Sequence, residues 1–406
     1  MELKLPYGLA SSLTLDVPAD NLLADWSSAG DLSLPDLSHA VQQALAAPRG
    51  YPSLAQAIVP GDRVTIVPDE DVPQAAEISA AVIASLLEGG LEPEAITVLH
   101  TGASDGAILA LDALLPTQVS ERVQRVRHDG GDRDQLSFLG TASSGAPIYV
   151  NRALADADLI IPISCVAAGD SNESRGEFGL LYPAFADSAA LGENTISAAE
   201  NAPTHREMAE QVGWLLGIRL LVKVVPAAVG IAELIVGDLD TVGPQARRVC
   251  EAAWSFTAPR RARLAIVSLG GAQSWQNAVQ ALAAAEKIVD PSGGAVLLCT
   301  ELDELPDSLQ CYLADNEFGA YDDEAAEDTD SVSQWQVISR ALERCSLFLL
   351  SRIDDDLIED LGMAPVHDEH EIERLVSQFE SCIVLANGQF ASVRVADEDV
   401  LELPGG

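Results

Sequence analysis

The residues of this chain that have the right types for chemistry gather in a few short stretches. Asp69 stands in Pro68-Asp69-Glu70-Asp71-Val72-Pro73 just after an apolar run, where a carboxylate either contacts a ligand or caps its own loop. His100 ends another apolar run and opens His100-Thr101-Gly102-Ala103-Ser104. An imidazole titrates near neutrality, so His100 is a candidate base for moving a substrate proton, with a histidine satisfied at a strand end as the plain alternative. The polar stretch 169–177 carries Asp170, Glu173, Arg175 and Glu177. Asp170 could serve there as an acid or base, or these carboxylates could bind a divalent cation through oxygen, against the simpler reading of a solvated loop.

Further along, Gly270-Gly271 precedes Ser274, Gln276, Asn277 and Gln280. Backbone amides and the positive end of a helix would suit an anion at that point. Trp335 could stack on a planar ligand or fill a core. His367 and His370 stand three apart at a helix start, but two ligands do not make a metal site, and no metal ligands are assigned.

The elements that must hold these groups follow from the apolar pattern. Residues 13–17 read as a strand. Residues 64–67, 96–101, 123–128 and 159–163 read as strands too, with helices at 75–87 and about 106–115. The continuous apolar run 159–163 is of the kind a strand buried on both faces shows. Strands are also expected at 264–268, 295–299 and 347–350. Helices are expected from an N-cap at Ser274 to about 288, through 335–342, and over about 369–379. Alternation of strand and helix predicts an α/β fold of two domains, 1–258 and 259–406, each a mainly parallel sheet covered by helices, with a cleft between them. In such sheets ligands bind at the carboxyl ends of the strands, which gathers Asp69, the 100–104 loop and the 164–169 loop.

Composition narrows the partners. With 63 acidic against 23 basic residues in 406, the formal charge of −40 repels phosphate backbones and anionic membrane surfaces. Neither nucleic acid nor membrane is expected as a partner, and a small anionic molecule is the ligand class the site would take. The acidic run within 322–330 reads as a solvated loop. The apolar runs are far shorter than the ~20 residues of a membrane span, and the start Met1-Glu2-Leu3-Lys4 shows no secretory signal, so a cytoplasmic location is expected. Six scattered cysteines without Cys-x-x-Cys spacing read as reduced core residues. Oligomeric state is not legible.

Taken in order, several motifs resemble one family. These are Leu5-Pro6-Tyr7-Gly8, Val67-Pro68-Asp69 with Pro73, His100-Thr101-Gly102-Ala103-Ser104, and Leu139-Gly140-Thr141 running on to Asp158-Leu159-Ile160. Gly270-Gly271 with Gln276-Asn277 and Gln280-Ala281, then Gly293-Gly294, then Gln334-Trp335, continue the series. Over roughly residues 5 to 395 the chain is similar to the nickel-pincer lactate racemases. The resemblance implies binding roles for Asp69, Thr101, Gly102, Gly176, Gly270, Gly271, Gln276 and Trp335.

It also implies a nickel-pincer nucleotide joined to a lysine, a histidine on the nickel, two proton-shuttling histidines, and an arginine for the substrate carboxylate. In this sequence the lysine position is Gly179, the shuttling histidines fall on Ser104 and Gly169, the nickel histidine falls near Thr195, and the arginine is Val72. No lysine lies between Lys4 and Lys223. The expectation is therefore a divergent racemase-like protein that keeps a small-molecule cleft without the pincer, its own cofactor unknown. A nickel-dependent 2-hydroxyacid racemase or epimerase, and a non-catalytic scaffold or regulatory protein, are the alternatives.

Overall fold

The computed structural model describes residues 1–8, 11–26, 33–69, 72–101, 105–142, 145, 147–166, 176–188, 190, 202–271, 273–306, 309–310 and 329–396. Gly102, Ser104, Gly169, Asp170, Thr195 and the acidic run within 322–328 lie outside the described residues.

The chain opens with β1 (Glu2–Tyr7), β2 (Ser11–Asp16) and β3 (Leu22–Trp26), the first two an antiparallel pair. Then come β4 (Val64–Pro68), β5 (Ile96–His100), β6 (Gln124–Arg127), a ribbon of β7 (Leu136–Thr141) and β8 (Pro147–Asn151), and β9 (Leu159–Cys165), β10 (Leu221–Pro226) and β11 (Ile231–Gly237). The last set is β12 (Ser255–Ala258), β13 (Leu264–Ser268), β14 (Gly294–Cys299), β15 (Cys345–Leu350), β16 (Ala364–Val366), β17 (Cys382–Ala386) and β18 (Ser392–Val395).

Two compact units result. One combines Leu32–Val166 with Asp170–Cys250, the other Met1–Asp31 with Glu251–Gly406. They are called here the 32–250 and 251–406 units. The divide thus falls a few residues before 258, and the N-terminal strands join the unit built by the end of the chain.

The 32–250 unit holds a six-stranded sheet ordered β11-β10-β9-β4-β5-β6, parallel except for β11. Its strands are Val/Ile/Leu runs. Val64, Ile66, Val98, Ile161, Ile163, Val222 and Val224 bury one face against Ile78, Val82, Ile83 and Leu86 of the helix Ala75–Glu88. From β4 the chain moves outward through β5 and β6, then returns to β4's other side for β9. That reversal, between β4 and β9, is where an α/β sheet opens a ligand crevice at its carboxyl edge.

The 251–406 unit repeats the principle with the order β16-β15-β14-β13-β17-β3, all parallel. Period-2 alternation divides β13. Ala265 and Val267 pack with the helices Trp275–Ile288 and Thr329–Arg344, while Leu264 and Ile266 pack under the β1–β2 pair and the helix Glu369–Val376. Here the reversal lies between β13 and β17.

Candidate functional site

In the 32–250 unit the β4/β9 reversal brings named residues onto one edge. Asp69 follows β4 directly. Its N–H donates to the Ile163 carbonyl at 2.9 Å, and its own carbonyl accepts from Val72 N–H at 3.2 Å. The aspartate therefore closes a tight turn against β9. Val72 is 4% exposed and belongs to the hydrophobic core. Where the resemblance would place a carboxylate-gripping arginine, the fold demands an apolar side chain. Next along the edge, His100 ends β5 and is buried, its carbonyl accepting from His128 N–H at 2.9 Å, and Thr101 is half-buried beyond it. Ser164 and Cys165 end β9 on the other side. Asp69, His100, Thr101 and Ser164 are thus neighbours along one carboxyl edge, as the strand pattern led one to expect.

A charged group that sequence reasoning had not assembled stands beside this edge. Lys223, in register with Ser164 across β9 and β10, is 4% exposed. Because Val222 and Val224 point into the core, Lys223 points to the opposite face. Its ammonium lies 2.9 Å from Glu177 Oε2, and Arg247 Nη1 donates to Glu177 Oε1. Burial opposes ionisation of Glu177, but the attraction and hydrogen bonds of Lys223 and Arg247 outweigh it and hold the carboxyl below its ordinary range. Gly243 makes room for this carboxylate, since a Cβ there would lie 2.3 Å from Glu177 Oε1. Gly176, just before it, takes a left-handed φ of +68° that glycine accommodates. The sequence signal was a lone lysine inside Leu-Val-Lys-Val-Val-Pro: a cation in an apolar strand needs a buried partner.

In the 251–406 unit, Gly270 and Gly271 follow β13. Gly270 N–H donates to Asn387 Oδ1 at 3.1 Å, and its carbonyl accepts from Gln389 Nε2 at 3.1 Å. Gly271 N–H donates to the Gly8 carbonyl at 2.8 Å, while Gly8 N–H donates to Leu269 O at 3.0 Å. Both amides expected to meet an anion are spent inside the protein, which corrects that part of the sequence reading. They explain instead why Leu5-Pro6-Tyr7-Gly8 and Gly270-Gly271 occur together: the first strand laces the loop that starts the helix Trp275–Ile288. Ser274 caps that helix, accepting from Asn277 N–H at 3.2 Å. Gln276 is half-buried in its first turn. Trp335 is half-buried against the hydrophobic cluster of Leu282, Leu298 and Ile338, the packing role weighed for it.

Other reactive types are muted. Burial pushes the Cys299 thiol up to about 12 and those of Cys345 and Cys382 to about 11, so none is a thiolate nucleophile. The Tyr7 phenol is pushed up to about 12 by burial, with Cys299 and Glu301 beside it. Among the described residues no three His, Cys, Asp or Glu side chains are grouped to hold a metal ion, and no helix is long and apolar enough to cross a membrane.

Comparison with known proteins converges with this geometry. Residues 7–169 match the family model of the lactate racemase N-terminal domain. The lactate racemase apoprotein from Thermoanaerobacterium thermosaccharolyticum superposes with a TM-score of 0.74 at 18% identity, covering 97% of this chain and 100% of that one. A protein from Thermotoga maritima gives 0.62 at 14% identity, covering 90% and 99%. At such identities the likeness is one of fold. No curated protein matches the chain.

Proposed function

On the footing that this chain is lactate racemase-like by its N-terminal domain and its fold, we propose that its 32–250 unit binds a small carboxylic acid at the β4/β9 carboxyl edge without the nickel-pincer nucleotide. The observation that carries this reading is the state of Lys223. It is the one lysine between Lys4 and Lys287, and it is buried in an ion pair with Glu177 rather than presented for covalent attachment. A nucleotide tethered through a lysine needs a reachable amine, and this one is enclosed against a carboxylate inside the fold. The Val72 position supports the same conclusion, since a core valine cannot grip a carboxylate. Gly179, which the resemblance aligns with the tethering lysine, has no side chain to offer. The residues present do not fit the pincer.

What the edge does offer is an imidazole at His100, a carboxylate at Asp69 and two cations sharing one carboxylate at Glu177. A small acid suits that arrangement because the Lys223–Glu177–Arg247 group carries one net positive charge within a strongly negative chain. Any acid or base work falls to His100, with Asp69 fixing the loop beside it.

The test is production of the full chain together with the maturation proteins of nickel-pincer lactate racemases, followed by elemental analysis and intact mass. An unmodified mass without stoichiometric nickel, together with a thermal shift on adding 2-hydroxy acids, is the expected result. Stoichiometric nickel with a covalent mass increment would restore the nickel-dependent racemase. An unmodified chain that no small acid stabilises would leave the scaffold reading.

A further inference from the structure

The β7–β8 ribbon of the 32–250 unit turns an aromatic face to solvent. Phe138 is 57% exposed and Tyr149 37% exposed, although their neighbours Ile148 and Val150 are buried. The two aromatics stand opposite one another in register, ring centroids 5.7 Å apart in an edge-on arrangement. Alternation along β8 gives the ribbon one buried and one exposed face, and the register shift in β7 sets Phe138 on the exposed side with Tyr149, and Gly140 on the buried side with Ile148. The buried side is fixed in part by Gly140, where a Cβ would lie 3.1 Å from Leu215 of the helix Ala202–Leu215.

The sequence around this face is unusual for this chain. Residues 135–155 contain no aspartate or glutamate and a single charge, Arg152, whereas 63 of all 406 residues are acidic. A second acid-free stretch, 211–232, includes Trp214, which is 79% exposed on the helix that packs on the ribbon. Within the described residues β7 has a strand partner on one side only, β8. An exposed edge strand with apolar side chains and no charge lacks the usual protection against pairing with another chain.

We propose that this face is a homodimer surface, formed by antiparallel pairing of β7 with β7 of a second copy about a twofold axis. Charge argues for that occupant. Two chains of formal charge −40 repel wherever their acidic surfaces meet, so self-association is favoured through strands that carry no acid of their own. The twofold arrangement presents the same patch from both copies, so each Phe138–Tyr149 pair covers the other.

Sedimentation velocity on the full chain at micromolar concentration, in low and in high sodium chloride, tests this. A dimer that tightens with salt is expected, because screening removes the repulsion while apolar contact is not screened. Phe138→Asp and Tyr149→Lys each replace an exposed side chain. They should leave the melting temperature of the subunit in place while weakening association at least ~10-fold, since a charge desolvated in an apolar contact costs more than one factor of ten. Phe138→Leu should keep the dimer. A wild-type monomer at both salt concentrations overturns the proposal. So does a dimer that loosens with salt, or one that survives both charged variants, since it would then use another face.

Discussion

His128 and His367 lie in opposite settings and should give stability two differently signed dependences on pH. His128 is buried, with Nε2 2.8 Å from the Ala186 carbonyl and Nδ1 3.0 Å from Asn151 Nδ2. Asn151 cannot turn over, because its Oδ1 accepts from Ala153 N–H at 2.9 Å. The ring is therefore a neutral donor at Nε2 and acceptor at Nδ1, and burial pushes its pKa below the ordinary value. The unfolded chain takes up this proton near pH ~6.5, so folding loses stability as pH falls below that point. His367 is exposed between Asp355 at 3.0 Å and Glu371 at 2.9 Å. Its hydrogen bonds to those carboxylates, Asp355 foremost, raise it to about 9. Its contribution is present below pH ~6.5 and is lost as pH rises through about 9. Melting temperature measured across pH 5–10 should show a flatter acid limb in His128→Gln and a flatter alkaline limb in His367→Gln. Identical acid limbs in wild type and His128→Gln would refute the assignment. At this scale the sequence located Asp69 and His100 at strand ends, because apolar runs mark where strands stop. It did not reveal that Val72 enters the core or that Lys223 meets Glu177, since both depend on partners far away in the chain.

At the scale of elements, the helix Leu239–Trp254 contains a conflict between its own propensity and what it packs against. Gly243 lies inside it, and a glycine at such a position usually costs ~1 kcal/mol relative to alanine. Here the missing Cβ leaves the space that Glu177 Oε1 occupies. Gly243→Ala would push that carboxylate away from Lys223, and breaking a buried ion pair costs ~3–5 kcal/mol. Urea unfolding should therefore show Gly243→Ala destabilising by ~2 kcal/mol or more in the wild-type background, the pair's loss minus the helix gain. Glu177→Ala alone should cost ~3 kcal/mol, because it strands a buried ammonium. In the Glu177→Ala background the same Gly243→Ala change should become stabilising. An equal effect in both backgrounds would mean that the glycine serves something other than Glu177. Elements set by local pattern were legible: β4, β5, β9, β13, β14 and the capped helix Trp275–Ile288 fall within a residue or two of expectation. The placement of β3 beside β17 was not, because Leu22–Trp26 is half-buried and its pairing spans most of the chain. Nor was the β7–β8 ribbon, where a register shift between Phe138 and Gly140 breaks the alternation that marks a strand.

For the whole molecule the governing quantity is the formal charge of −40. Alternating strands and helices made two α/β sheets readable, but the sequence could not show that Met1–Asp31 folds with Glu251–Gly406, which requires a strand to cross the chain's full length. Charge, by contrast, is read directly and acts on every part. Folding draws together a chain with 63 acidic groups and only 23 basic ones to offset them, so mutual repulsion favours the expanded chain. Salt weakens that repulsion as the Debye length falls from ~10 Å at 0.1 M to ~3 Å at 1 M. The buried pair of Lys223 with Glu177 is shielded from the same screening by its surroundings, so stabilisation by salt is not cancelled by its loss. The melting temperature should rise by several degrees, on the order of a few kcal/mol of relieved repulsion, between 0.1 and 1 M sodium chloride. The rise should then level off, because screening saturates once the Debye length is shorter than the spacing of surface charges. Potassium chloride should act alike. A rise that stays linear beyond 1 M would point to salt exclusion from apolar surface instead. A melting temperature that falls with salt would mean that exposed ion pairs, not repulsion, dominate the surface of this protein.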